Sequence, residues 1–247
     1  MQFREHSLLF LLFLTQVSCK EELLPEREKK DLLEIRLSER LKTIFEDEIR
    51  KFEYDDSISM PDSGAILFTG SSSIKLWDDL EKDMMPLTVI NRGFGGSILE
   101  QLPWYAHRII FPYRPKAIVI YAGENDIAND KVPARQPYIS FIKLHLILRD
   151  SLPDTHIFFI SLKPSPKRQQ WTAKFTTANE LIKKYIGKHE KMTYIDVSEA
   201  MRNATGEIRN ELFLPDSLHL NSKGYALWTG IIKSELIARY PRQAGKQ

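Results

Sequence analysis

Five short apolar runs, each separated from the next by a segment with a helical pattern, constrain the fold of this chain more than any other feature. The runs are rich in Ile, Val, Phe and Tyr, and most lack the polar–apolar alternation of a half-exposed strand. They are Ala65–Thr69, Thr88–Asn91, Lys116–Ala122, Thr155–Leu162 and Thr193–Val197. Runs of this kind are typical of strands that are buried on both faces of a parallel sheet.

Helical patterns occupy the intervals between these runs. They cover residues 72–82, 97–109, 134–150 and 172–190, and a last one covers residues 222–239. Such alternation predicts a doubly wound α/β fold, a three-layer α/β/α sandwich around a five-stranded parallel sheet. Ligands of these folds bind beyond the carboxyl ends of the strands, so we expect functional residues directly after the strands.

Composition narrows the class of protein. The 247 residues suffice for one large domain, and 43% hydrophobic and 28% charged residues are typical of an ordinary globular protein. The formal net charge is +2, with Lys and Arg scattered among nearly as many Asp and Glu. This balance gives no reason to expect a nucleic-acid partner.

Residues 1–19 have the pattern of an export signal. Arg4 precedes an apolar stretch at residues 8–14, and the small residue Ser18 stands directly before Cys19, the sole cysteine. The stretch is well short of the roughly 20 apolar residues that span a bilayer. Two interpretations are open: a plain signal peptide, or a lipoprotein signal with Cys19 as the lipidated residue, although Gln16 stands where such signals usually have Leu. We therefore expect an exported protein that is secreted, periplasmic or attached to a bacterial membrane through Cys19.

The rest of the chain is predicted to form one domain with short flanks. Residues 20–31 are charged and lack a core pattern, which favours a linker. Apolar residues at helical spacing from Leu32 to Phe52 predict a lead-in helix. The domain is expected to cover residues 32–240, including this helix, with a tail at 241–247.

Polar and glycine-rich residues follow the predicted strands, as expected for a functional edge of the sheet. In strand order they are Ser71, Ser72 and Ser73; Gly93, Gly95 and Gly96; Gly123, Glu124, Asn125 and Asp126; and Lys163–Pro166, with Asp216 and His219 before the last helix. Any one of these groups is weak evidence by itself. Their joint position is difficult to explain by folding requirements alone.

At these positions the chain resembles the SGNH/GDSL-type hydrolase superfamily, in the branch of the platelet-activating-factor acetylhydrolase catalytic subunits. Four blocks match in order between about Ala65 and Trp228, namely GSSSI, NRGFGG, GEND and DSLH. The resemblance implies the flavodoxin-like SGNH hydrolase fold and an esterase that needs no cofactor. Two positions depart from the family pattern, because Ser71 stands where Asp is usual and Ser73 stands where Leu is usual.

The resemblance also implies a role for each matching residue. Ser72 fills the third place of the Gly-x-Ser block and is expected to be the nucleophile. His219 is expected to be its base, with Asp216 orienting the imidazole. The oxyanion is expected to be bound by the backbone N–H groups of Ser72 and Gly96 and by the side-chain amide of Asn125.

For the remaining candidate residues, the sequence leaves more than one role open. Asn91 and Arg92 either bind substrate or hold their loop. Lys163 is expected near the rim of the site, where it either shapes a substrate pocket or lies on an exposed loop. Asp216 and His219 could belong to a metal site, but no clustered set of further ligands is visible in the sequence, so no metal is predicted.

The sequence thus predicts a serine esterase that hydrolyses carboxylic esters, and the resemblance favours short acyl groups, acetyl in particular. The expected partner is a small ester whose alcohol part is a lipid, a sugar or a metabolite. A carbohydrate O-deacetylase or an acyltransferase suits the same residues. A surface-binding lipoprotein that keeps the fold without turnover is the alternative from another class, and a homodimer is also open.

Overall fold

The computed structural model describes residues 43–241. The predicted signal peptide with Cys19, the predicted linker and the start of the lead-in helix lie outside the described residues, as do residues 242–247. The chain divides into two compact units, Met1–Glu46 and Asp47–Gln247, and nearly all described residues belong to the second. Among residues 43–241, no helix combines the length and the apolar character that crossing a bilayer requires.

A five-stranded, fully parallel sheet forms the middle layer, as the sequence predicts. Its order is β2-β1-β3-β4-β5. The strands are β1 (Ile66–Gly70), β2 (Val89–Gly93), β3 (Ala117–Tyr121), β4 (His156–Ile160) and β5 (Met192–Ile195). Every residue of β1, β3 and β4 is buried, because helices cover both faces of the sheet. This burial explains the unbroken apolar runs.

Helices cover both faces and complete the three-layer sandwich. In chain order they are α1 (Glu46–Ile58), α2 (Ser72–Lys75), α3 (Leu80–Met84), α4 (Leu102–Ile109), α5 (Glu124–Ile127), α6 (Gln136–Ser151), α7 (Thr172–Ile186) and α8 (Ser222–Arg239). On one face Trp228 of α8 packs edge-to-face on Tyr121 of β3, with ring centroids 4.9 Å apart. On the other face Phe141 of α6 packs on Phe159 of β4, with centroids 4.8 Å apart.

The segment after β1 differs from the single helix predicted over residues 72–82. It forms two short helices, α2 and α3, with a turn between them. Trp77 lies in this turn with its ring fully buried, and its indole N–H donates to Asp83 over 2.7 Å. The interruption therefore serves the packing of one large side chain. The periodicity of the segment does not reveal it.

Two other helix boundaries differ from the prediction. Residues 99–101 form a 3₁₀ turn, so the α-helix predicted from residue 97 begins at Leu102. The lead-in helix, predicted to end at Phe52, continues to Ile58. Its last turns are held by Asp56, which forms an ion pair with the buried guanidinium of Arg92. The spacing of apolar residues cannot predict an ion pair of this kind, so the additional turns of the helix were not predicted.

The two glycines of α8 allow a matched test of its packing. A Cβ at Gly224 would lie 2.4 Å from the carbonyl oxygen of Leu212, whereas a Cβ at Gly230 would meet nothing within 4 Å. We expect Gly224→Ala to destabilise the protein by about 1–3 kcal/mol through overpacking. Gly230→Ala should stabilise it by about 0.5–1 kcal/mol because alanine favours the helix. Urea unfolding measures both, and equal effects of the two changes would contradict this packing.

Candidate active site

Ser72 lies at the end of β1, where the chain turns sharply into α2. Gly70 makes this turn with φ +132°, and a Cβ there would lie 1.9 Å from the carbonyl oxygen of Tyr121. That oxygen accepts a hydrogen bond from the Ser71 N–H over 2.9 Å. Ser71 is the N-cap residue of α2, without a side-chain capping hydrogen bond, and Ser72 is the first residue of the helix, half-buried at the carboxyl edge of the sheet. The close approach at Gly70 fixes where Ser72 stands.

His219 connects Ser72 to Asp216. Its Nε2 lies 3.1 Å from the Ser72 Oγ, and its Nδ1 lies 2.6 Å from an Asp216 Oδ atom. Since an ionised carboxylate can only accept, the proton of a neutral imidazole belongs on Nδ1, which leaves Nε2 free to accept from the serine. The structure therefore brings the three predicted residues into one hydrogen-bonded chain.

The loop that carries Asp216 and His219 is built to hold both residues together. The Asp216 carboxylate accepts hydrogen bonds from the backbone N–H groups of Leu218 and His219, over 2.9 and 3.0 Å. Burial alone would raise the pKa of Asp216, but these bonds and the one to the imidazole lower it to about 2. Asp216 is thus an anion at neutral pH, suited to orient an imidazole and to stabilise its protonated form.

The three predicted oxyanion donors lie on neighbouring segments of the same edge. Among the described residues, the backbone N–H groups of Ser72 and Gly96 make no hydrogen bond. Gly96 has φ +78°, and a Cβ at this position would meet nothing within 4 Å. The Asn125 amide donates one hydrogen bond to the Ser97 carbonyl oxygen over 2.9 Å, so this side chain is joined to the loop of Gly96.

Asn91 and Arg92 hold their loop, which was one of the two alternatives. The Asn91 side chain donates to the carbonyl oxygen of Ile74 and accepts from the Gly93 N–H, over 2.8 and 2.9 Å. Arg92 is buried and pairs with Asp56, and its Nε donates to the Tyr113 hydroxyl over 2.6 Å. Both side chains are thus occupied within the fold.

Lys163 does not lie on the rim or on an exposed loop, contrary to the expectation. Its side chain is only 1% exposed, and its ammonium forms an ion pair with Glu124 over 2.9 Å. Burial lowers the pKa of Lys163, and the Glu124 carboxylate opposes that shift. A charged residue after a strand looks like a surface residue in the sequence. Its partner, 39 positions earlier, becomes visible only in the fold.

One residue near the predicted oxyanion site was missed by the sequence reasoning. Arg168 donates from Nη2 to the Asn125 Oδ1 over 2.6 Å. The signal available was its place after β4, in the segment of Lys163, but nothing in the local sequence connects it to Asn125. Among residues 43–241, no group of three or more His, Cys, Asp or Glu side chains is arranged as a metal-ligand set.

The sequence and the fold were compared with those of known proteins. Residues 57–227, well over half of the chain, match the model of a family described as GDSL-like lipase/acylhydrolase. Comparison with curated protein sequences found no match.

Several solved structures share the fold. A Streptococcus pneumoniae protein provisionally described as a platelet activating factor has a TM-score of 0.66 and 21% identity, covering 87% of this chain and 99% of its own. A GDSL-like lipase from Bacteroides thetaiotaomicron has a TM-score of 0.64 and 16% identity, covering 77% of this chain and 98% of its own. A carbohydrate esterase family 3 protein from Talaromyces cellulolyticus has a TM-score of 0.58 and 16% identity, covering 71% and 97%. At these identities the likeness concerns the fold alone.

The structural role of Arg92 can be tested through its partner. Asp56→Ala leaves the Arg92 guanidinium buried without its carboxylate, and we expect a loss of about 3 kcal/mol in the free energy of unfolding. The double variant Arg92→Met/Asp56→Leu removes both charges and should recover most of that loss. Chemical denaturation measures both. A double variant no more stable than Asp56→Ala would contradict the pairing.

Proposed function

Because the chain belongs to the GDSL-like lipase/acylhydrolase family, we propose that it is a serine esterase that cleaves carboxylic esters through an acyl-enzyme on Ser72. Family membership supports hydrolysis of esters in general. The observation that carries the specific mechanism is the hydrogen-bonded chain from Ser72 Oγ through the His219 imidazole to Asp216. A serine hydroxyl is a poor nucleophile without a neighbouring base, and the His219 imidazole is placed to act as that base.

In the proposed mechanism, His219 Nε2 removes the hydroxyl proton as Ser72 Oγ attacks the ester carbonyl. The negative charge that develops on the carbonyl oxygen is bound by the N–H groups of Ser72 and Gly96 and by the Asn125 amide. When the intermediate collapses, the imidazolium gives its proton to the leaving alcohol and the acyl group stays on Ser72. Water then attacks the acyl-enzyme with His219 again as base, which regenerates the serine.

The preferred acyl group is proposed to be short, with acetyl the leading candidate. This rests on the resemblance of the four sequence blocks to acetylhydrolases. A carbohydrate O-deacetylase or acyltransferase that uses the same residues is the alternative. Because one of the similar folds belongs to a carbohydrate esterase, acetylated sugars should be included in a substrate screen. The remaining alternative is a protein of this fold that binds its ligand without catalysis. Covalent labelling of Ser72 would argue against this alternative, and a folded protein that does not react would support it.

Ser72 is tested by replacement and by covalent labelling. Ser72→Ala should lower kcat for p-nitrophenyl acetate by about 10³-fold or more, because the attacking atom is lost. A fluorophosphonate probe should modify wild-type protein at Ser72. Ser73→Ala is the matched control. The Ser73 hydroxyl is adjacent in sequence but buried, so its removal should change neither the activity nor the labelling. Full activity in Ser72→Ala, or a folded wild type that does not react, would contradict the proposal.

The pH dependence follows from the state of Asp216. Its pKa of about 2 means that it is ionised throughout the range from pH 4 to pH 9. Protonation of Asp216 should therefore cause no loss of kcat/KM between pH 4 and pH 9, and a pH profile of wild-type activity measures this. Asp216→Asn should lower kcat by roughly 10³-fold or more, because it no longer holds the productive tautomer. An acid-side loss of kcat/KM in the wild type that is absent from the profile of Asp216→Asn would contradict this assignment.

A further inference from the structure

Arg168 is placed against the predicted oxyanion site by the segment that follows β4. It lies in the 3₁₀ segment Pro166–Trp171, and its own backbone angles depart from the helical values of that segment. Its side chain is 16% exposed, so most of it is removed from solvent. Nη2 donates to the Asn125 Oδ1 over 2.6 Å, which is a short distance even for a hydrogen bond from a charged donor.

The two neighbours of the Asn125 side chain determine which way its amide faces. A guanidinium can only donate, so the atom facing Arg168 must be the amide oxygen. A backbone carbonyl can only accept, so the atom facing Ser97 must be the amide nitrogen, at 2.9 Å. One N–H of the amide is used in this way. The second has no acceptor among the described residues and is available to a bound group.

Arg168 is itself held by a buried ion pair. Its Nη1 lies 3.8 Å from the Glu124 Oε1, and Glu124 also accepts from the Lys163 ammonium over 2.9 Å. The Tyr121 hydroxyl donates to the same carboxylate. Two cations thus surround one carboxylate directly beside Asn125. This group of four side chains explains why Lys163, expected at the rim, is buried instead.

We propose that Arg168 is a positioning residue of the oxyanion site and acts through Asn125. A charged donor on Oδ1 fixes the orientation of the amide and draws electron density from its nitrogen, so the free N–H becomes a stronger donor. The carbonyl oxygen of an ester gains its negative charge only as the transition state is approached. The effect of Arg168 is therefore expressed mainly in kcat, whereas binding of the ground-state ester changes little.

The test replaces Arg168 and separates kcat from KM. Removal of an oxyanion donor costs on the order of 100-fold, and we expect Arg168→Gln, which weakens one donor, to lower kcat for p-nitrophenyl acetate by about 10-fold, with KM changed less than about twofold. Arg168→Lys keeps the charge and should retain an intermediate kcat. Lys167→Gln is the matched control, because it removes an exposed cation from the same turn and should leave kcat unchanged.

A double-mutant cycle shows whether Arg168 acts through Asn125. In an Asn125→Ala background, Arg168→Gln should have almost no further effect on kcat, because the group it positions is absent. An equal loss in both backgrounds would overturn the proposal, as would an unchanged kcat in Arg168→Gln. A rise in KM with unchanged kcat would instead identify Arg168 as a substrate contact and would also overturn it. If Arg168→Gln does not fold, the same cycle is run with Arg168→Lys.

This inference rests on the proposed esterase function, and the two can fail separately. If fluorophosphonate does not label Ser72 and Ser72→Ala keeps its activity, the proposed function fails. If Ser72 is labelled and required while the cycle shows additive effects, only the role of Arg168 fails.

Discussion

The close approach of Gly70 to the carbonyl of Tyr121 is the constraint on which the rest of the site depends. With no side chain at position 70, β1 ends so close to β3 that a Cβ would lie 1.9 Å from that oxygen. The same turn lets the Ser71 N–H donate to Tyr121 and lets the Gly70 carbonyl accept from the Phe94 N–H, each over 2.9 Å. One glycine thus joins the segments after β1, β2 and β3, which carry Ser72, Gly96 and Asn125.

Helix α1 supports this arrangement from the side of β2. Its Glu48 accepts from the Gly95 N–H over 3.2 Å and pairs with Lys75 of α2 over 2.8 Å. Two turns later, Asp56 pairs with Arg92 at the end of β2. The lead-in helix therefore contacts both the end of β2 and the residue directly before Gly96. The sequence predicts this segment only from its apolar residues, whereas its contacts with the loop and with β2 are made by the carboxylates of Glu48 and Asp56.

The sequence reasoning succeeded where a local pattern reflects a global constraint. Strands buried on both faces must be continuously apolar, so the sheet was predictable, and the four blocks indicated the family. It was less successful where a residue's environment is set by a distant partner. Lys163 is buried because Glu124 accepts its charge, and Arg92 is occupied because Asp56 reaches it from α1. Arg168 next to Asn125 depends on the fold of the segment after β4, which has no local signature.

The hydrogen bond between His219 and Ser72 joins residues 147 positions apart in the chain. Asp216 and His219 come from one short loop near the carboxyl terminus, whereas Ser72 belongs to the first strand–helix unit of the sheet. During synthesis on a ribosome, the serine and the glycine loop emerge long before the loop that carries the base. In the proposed mechanism, Ser72 therefore has no base until the loop that carries His219 has been synthesised and packed beside it.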